Sequence, residues 1–84
     1  MEVIMSETVR VFTKQFCPGC QMTKRLLTAQ GIKYREVDVT NDPAALDALR
    51  QLGYTSLPVV VVDNDGEVTG WTGFRPDKIK QLFS

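Results

Sequence analysis

An α/β fold in the order β-α-β-α-β-β-α, a four-stranded mixed sheet flanked by three helices, is what this 84-residue sequence predicts. Three observations carry the prediction. Through the first half, β-branched runs alternate with segments of helical period, the pattern of a parallel β-α-β unit. The run PVVVV, Pro58 to Val62, is apolar without interruption at strand length, as for a strand covered on both faces. The turn sequence DNDG, Asp63 to Gly66, then joins Val59–Val62 to a last strand near Glu67–Thr72 as an antiparallel hairpin.

The elements follow in order. TVRVFT, Thr8 to Thr13, is β-branched and aromatic and reads as a strand. From Pro18 to about Gln30 the chain favours helix, with Met22, Leu26 and Ala29 on one stripe and Thr23 and Leu27 beside it; Gly31 ends it. KYREVDV, Lys33 to Val39, is mixed enough in polarity for a sheet edge. Asp42 and Pro43 supply an N-cap and a first-turn proline to a helix with Leu46, Leu49, Ala45 and Ala48, closed by Gly53. Pro76 starts a final helix whose Ile79, Leu82 and Phe83 are expected to pack on the sheet.

Composition narrows the function classes. With 43% hydrophobic residues, residues 1–84 make one small domain, expected as a monomer, with no room for a second core. Ten basic and ten acidic residues cancel, which argues against nucleic acid or an anionic membrane as the main partner. The longest apolar run, Leu57 to Val62, is far short of the ~20 residues that span a bilayer. MEVIMSET shows no basic segment followed by an apolar one, so no secretory signal is read and a cytoplasmic location is expected. Met5 is an alternative start, which would leave Met1 to Ile4 as an extension.

The chain holds two cysteines, both in FTKQFCPGCQMTKRLL, Phe12 to Leu27. Cys17 falls where the first strand has ended and the first helix begins. As N-cap it would put Pro18 at the position where a missing N–H costs nothing. The amides of Gly19 and Cys20 would then point at its sulfur, and the helix dipole would favour an anion there. Both effects lower the pKa of Cys17 below that of a free thiol, giving an exposed thiolate with Cys20 one turn behind, within disulfide reach. A staple between residues three apart would constrain the unfolded chain little. A structural zinc site needs four ligands, and the chain has no histidine and no third cysteine. Only a dimer sharing two such pairs, or outside ligands, would make a metal or iron–sulfur carrier. A reversible redox dithiol is the favoured reading.

CPGC after VFTKQF, the SLPVVVV segment and the hairpin into a short last helix together resemble the glutaredoxin branch of the thioredoxin fold, over almost the whole chain. Within it, GWTGFRPDKIKQL, Gly70 to Leu82, resembles the W-S/T-G-F-R-P-D segment of NrdH-redoxins. The resemblance implies a dithiol–disulfide oxidoreductase without cofactor, glutaredoxin-like in sequence and thioredoxin-like in activity. It implies electrons from thioredoxin reductase, passed to the large subunit of class Ib ribonucleotide reductase. It makes Cys17 the nucleophile and Cys20 the resolving thiol. Pro58 would be a cis-proline facing them, and Phe16, Pro18, Gly19, Leu57 and Trp71, Thr72, Gly73, Phe74 and Arg75 would shape the partner surface. NrdH-redoxins often carry Val-Gln between the cysteines where this chain has Pro-Gly, a dipeptide that tunes the redox potential.

Several of these residues also have readings that need no family. Trp71 and Phe74 suit a core, and Arg75, beside a helix start, suits a bond to carbonyls or to Asp77. A proline opening a strand leaves Leu57 with unpaired backbone groups, which an extended peptide can use. Lys14 and Lys24 flank the dithiol, while the first strand and helix supply no carboxylate to take the Cys20 proton. A glutathione-dependent glutaredoxin is the alternative enzyme. Such proteins usually have Gly-Gly, a small residue and Asp-Asp where this chain has Phe74 at the second glycine and Pro76 at the first aspartate, which disfavours glutathione.

Overall fold

The computed structural model describes residues 7–82. Its elements run β1 (Glu7–Thr13), α1 (Pro18–Ala29), β2 (Arg35–Asp38), α2 (Pro43–Gln51), β3 (Val59–Asn64), β4 (Glu67–Thr72) and α3 (Pro76–Gln81). The expected order is present. The second strand is shorter than Lys33–Val39, and Phe83 and the residues before Glu7 lie outside the described residues.

The sheet order is β2-β1-β3-β4. β1 and β2 are parallel, with Val11 beside Glu36, while β3 is antiparallel to both β1 and β4. β2 is thus an edge, and its charged residues suit one. The hairpin turn is two residues long, Asp65 and Gly66, at φ of 54° and 95°, between the paired Asn64 and Glu67. Two positive φ values in a two-residue loop make a type I′ turn, the geometry that matches strand twist. The Asp63 carboxylate accepts the Gly66 amide at 2.9 Å and fixes the turn.

Alternation sorts the sheet's two faces. Val9, Val11, Val60, Val62 and Trp71 turn to one side, where Leu27, Ile32 and Ile79 complete the core. α1 and α3 pack together there. On the other side the buried Leu49 of α2 and Val59 line one small cleft. Val59 and Val60 point to opposite faces and both are buried, so β3 is covered on both sides at its start, as the apolar run predicts.

One helix face differs from the expectation. The buried residues of α1 are Cys20, Thr23 and Leu27, while Met22 and Ala29 are exposed and Leu26 is half-buried. Thr23 replaces an apolar residue on the inner stripe because its hydroxyl is satisfied locally, donating to the Gly19 carbonyl at 2.8 Å. Ala48 of α2 is exposed as well. Both long helices end as predicted. Gly31, at φ 74°, donates to Thr28 while Ile32 donates to Leu27, and Gly53 and Tyr54 repeat the arrangement after α2. No helix among the described residues is long and apolar enough to cross a membrane.

Candidate active site

The site is built where β1 runs into α1. Phe16 sits at φ 57°, a left-handed conformation that costs a bulky residue roughly 1 kcal/mol or more. It reverses the chain so that Cys17 enters in extended conformation as the N-cap, and its own side chain is left 95% exposed. Pro18 follows at the first helical position. The Cys20 amide donates to Cys17 Sγ at 3.1 Å, as an N-cap sulfur requires; the bond expected from Gly19 is not among the hydrogen bonds of the described residues.

Cys17 and Cys20 are joined as a disulfide, with Cα atoms 5.2 Å apart. Oxidised, Cys17 is not the exposed group that the sequence suggests: it is 6% exposed and Cys20 is fully buried. The N-cap geometry is the reason. It folds the sulfur back over the first turn, against the Cys20 amide and the Cys20 sulfur.

The helix start that carries the dithiol faces the segment before β3. The Leu57–Pro58 peptide is cis, as the resemblance implies, and Pro58 is buried. A Cβ placed on Gly19 would lie 3.3 Å from Pro58 Cδ, so the helix start and the proline are in contact range. Leu57 is half-buried, and its backbone N–H and C=O make no hydrogen bond among the described residues.

Thr72 and Gly73 hold this segment from behind. Gly73 N–H donates to the Pro58 carbonyl at 2.8 Å, from a φ of 86° that suits glycine. Thr72 Oγ1 donates to the Ser56 carbonyl, so the Ser56 hydroxyl must be the donor in its 3.0 Å contact with Thr72 Oγ1. Ser56 was not a candidate from sequence. No sequence signal marks it: Ser56 lies before β3, outside the ladder that pairs Thr72 with Val59, and meets Thr72 only through the path of the chain around Pro58.

The rest of the WTGFRPD segment points elsewhere. Trp71, 8% exposed, belongs to the core, with a buried Nε1 that has no hydrogen-bond partner among the described residues. Phe74 is half-buried against that core and borders a groove with Met22 and Leu26 on the outward face of α1. Arg75 caps α3 and forks onto Asp77, Nε to Oδ1 at 3.1 Å and Nη2 to Oδ2 at 3.0 Å. That fork lowers the Asp77 pKa and raises that of Arg75. Lys24 is likewise engaged, bonded at 2.8 Å to Glu36, whose Oε2 also accepts from the buried Thr13 hydroxyl. These two bonds, Lys24's first, hold the Glu36 carboxyl below its ordinary pKa.

A helix-capping cysteine disulfide-bonded to one a turn behind, facing a proline on a mixed β2-β1-β3-β4 sheet, defines a thiol oxidoreductase of the thioredoxin fold. The glutaredoxin family model matches residues 9–67. The glutaredoxin-like protein NrdH of Salmonella typhimurium is 37% identical over 89% of this chain and 88% of its own length. That of Escherichia coli is 36% identical over 88% of this chain and 86% of its own length. The solved NrdH-redoxin of Escherichia coli superposes with a TM-score of 0.80 at 35% identity, covering 92% of this chain and 96% of that one. The chain belongs to the glutaredoxin family, among its NrdH-like proteins.

Proposed function

We propose that this protein reduces protein disulfides with electrons from thioredoxin reductase and passes them to the large subunit of class Ib ribonucleotide reductase. Cys17 thiolate attacks one sulfur of the partner's disulfide, forming a mixed disulfide and releasing a partner thiolate. Cys20, deprotonated, then attacks Cys17 Sγ. The second partner thiolate leaves, both partner thiolates take up protons, and the two electrons have moved from the dithiol to the partner. The Cys17–Cys20 disulfide that results is the form described above. A reductase restores the dithiol.

The observation that carries the reading is the backbone of Leu57 just before Pro58, unpaired among the described residues, which suits the extended peptide segment of a disulfide-bearing partner. Two further features favour a protein donor over glutathione. Pro76 opens α3 without an N–H, and Asp77, the one aspartate left at that place, is occupied by Arg75. The Escherichia coli relative is described as having a thioredoxin-like activity profile. NADPH consumption with thioredoxin reductase, against glutathione plus glutathione reductase, tests the choice. The first system should reduce the protein much faster; comparable rates would move it to the glutathione-dependent class.

A further inference from the structure

A groove of about 350 Å³ opens beside the dithiol, between the β1–α1 loop and α2. Phe16, the neighbour of Cys17, borders it, and so does Leu57 with its free backbone. Its charged lining is one-sided: Lys14 from the loop and Arg50 from α2, with no aspartate or glutamate. Neither cation is in an ion pair among the described residues. The chain as a whole has no net charge, so this positive concavity is local. In a recess walled by Leu46, Val39 and Leu57, two unneutralised cations concentrate the field and draw a carboxylate.

We propose that this groove selects the protein partner: it takes the acidic side chain of an extended peptide whose disulfide is being reduced. The inference rests on the reading of the protein as a protein-disulfide reductase. A segment paired along Leu57 brings its cysteine to Cys17, and its side chains alternate between the sheet edge and the groove. At a rise of about 3.3 Å per residue, positions within three residues of that cysteine lie within reach of Lys14 and Arg50. An aspartate or glutamate there meets both cations, whereas a lysine there is repelled. Partner choice is then read by charge next to the disulfide, separately from the sulfur chemistry.

The test uses synthetic peptides closed by an internal disulfide, identical except for Asp, Ala or Lys at single positions within three residues of either cysteine. Reduction by the intact, pre-reduced protein is timed, and each rate is divided by that with dithiothreitol to remove intrinsic reactivity. At one or more positions Asp should exceed Ala, and Ala exceed Lys, by about three- to tenfold in total, the range of one or two partly exposed ion pairs. The spread should shrink in high salt. Arg50→Glu and, separately, Lys14→Glu should reverse the order. Equal rates for all three peptides, or an order unchanged in both variants, would overturn the proposal while leaving the reductase reading intact. Glutathione disulfide outcompeting the Asp peptide would make the groove a glutathione subsite and overturn it too. Failure to reduce any peptide would remove the reductase reading beneath it.

Discussion

Cys17 and Cys20 are both buried in the disulfide form and differ in place: Cys17 caps the helix and its sulfur accepts the N3 amide, while Cys20 lies a turn behind inside the helix. The roles should divide accordingly. Cys17→Ser is expected to abolish disulfide reduction, and Cys20→Ser to stop after the first attack, leaving a covalent complex with the partner visible on a non-reducing gel. Wild-type turnover by Cys20→Ser would remove the resolving role. Alkylation against pH should also find Cys17 titrating below a free thiol, because amide and dipole stabilise its anion. Thr72 offers a subtler test, since its hydroxyl bonds to Ser56 and, among the described residues, to no sulfur. Thr72→Val deletes the donor to the Ser56 carbonyl and is expected to cost about 0.5–1.5 kcal/mol, as for a typical hydrogen bond. If Thr72 positions the peptide-facing segment, reduction of a protein disulfide should fall more than reduction of hydroxyethyl disulfide. Equal losses on both substrates would make it a purely structural bond.

At the scale of elements, most boundaries were legible because punctuation residues carry them. Pro18, Pro43 and Pro76 each occupy a first helical position, Gly31 and Gly53 each follow a helix in positive φ, and Asp65-Gly66 makes the hairpin turn. The inward face of α1 was not legible. Apolarity favours Met22 and Leu26, whereas the buried face includes Thr23, whose bond to the Gly19 carbonyl only the folded helix provides. Equally hidden was Gly70. In sequence it only weakens a strand, but an added Cβ would stand 2.6 Å from Tyr54 Oη and 2.8 Å from the Val60 carbonyl oxygen. The Thr13–Glu36–Lys24 cluster, which ties β1, β2 and α1 together, also depends on register, and it predicts a pH dependence. Glu36 titrates below its ordinary 4.5 when folded, so it stays charged where the unfolded chain has begun to take up its proton. Its stabilisation is complete above that pH and is lost as pH falls through the depressed folded value. The side chain is 39% exposed, so solvent screening holds the effect to about 1 kcal/mol or less. Urea midpoints should place Glu36→Gln below the parent at pH 7, with the gap closing toward pH 3. A gap that is constant with pH would assign the loss to packing instead of charge.

Across the whole molecule, the dithiol stands at the junction of three surfaces: the helix start, the peptide-facing segment before β3 and the turn from β4 into α3. The first two were readable from Cys17, Pro18 and Pro58. The third was readable only in outline, because WTGFRPD divides its labour among distant places. Trp71 goes to the core, Thr72 and Gly73 to the segment before β3, Phe74 to the outer face of α1, and Arg75 to Asp77. That division determines how the electron source should be tested. Restoring glycine at Phe74 would remove part of the core's cover and confuse stability with specificity. Arg75 and Pro76 are the cleaner positions, since the Arg75–Asp77 fork is exposed and Pro76 only opens a six-residue helix. Arg75→Ala frees the Asp77 carboxylate for the ammonium of a γ-glutamyl group, and Pro76→Asp supplies the N–H and carboxylate of the glutaredoxin pattern. The double variant should gain glutathione-dependent turnover several-fold, in line with one or two exposed charge contacts worth about 0.2–1 kcal/mol each. Its far-UV spectrum and melting should stay near the parent's. Calorimetry showing that the parent already binds glutathione tightly would defeat the argument, because the fork and the proline would then be no obstacle.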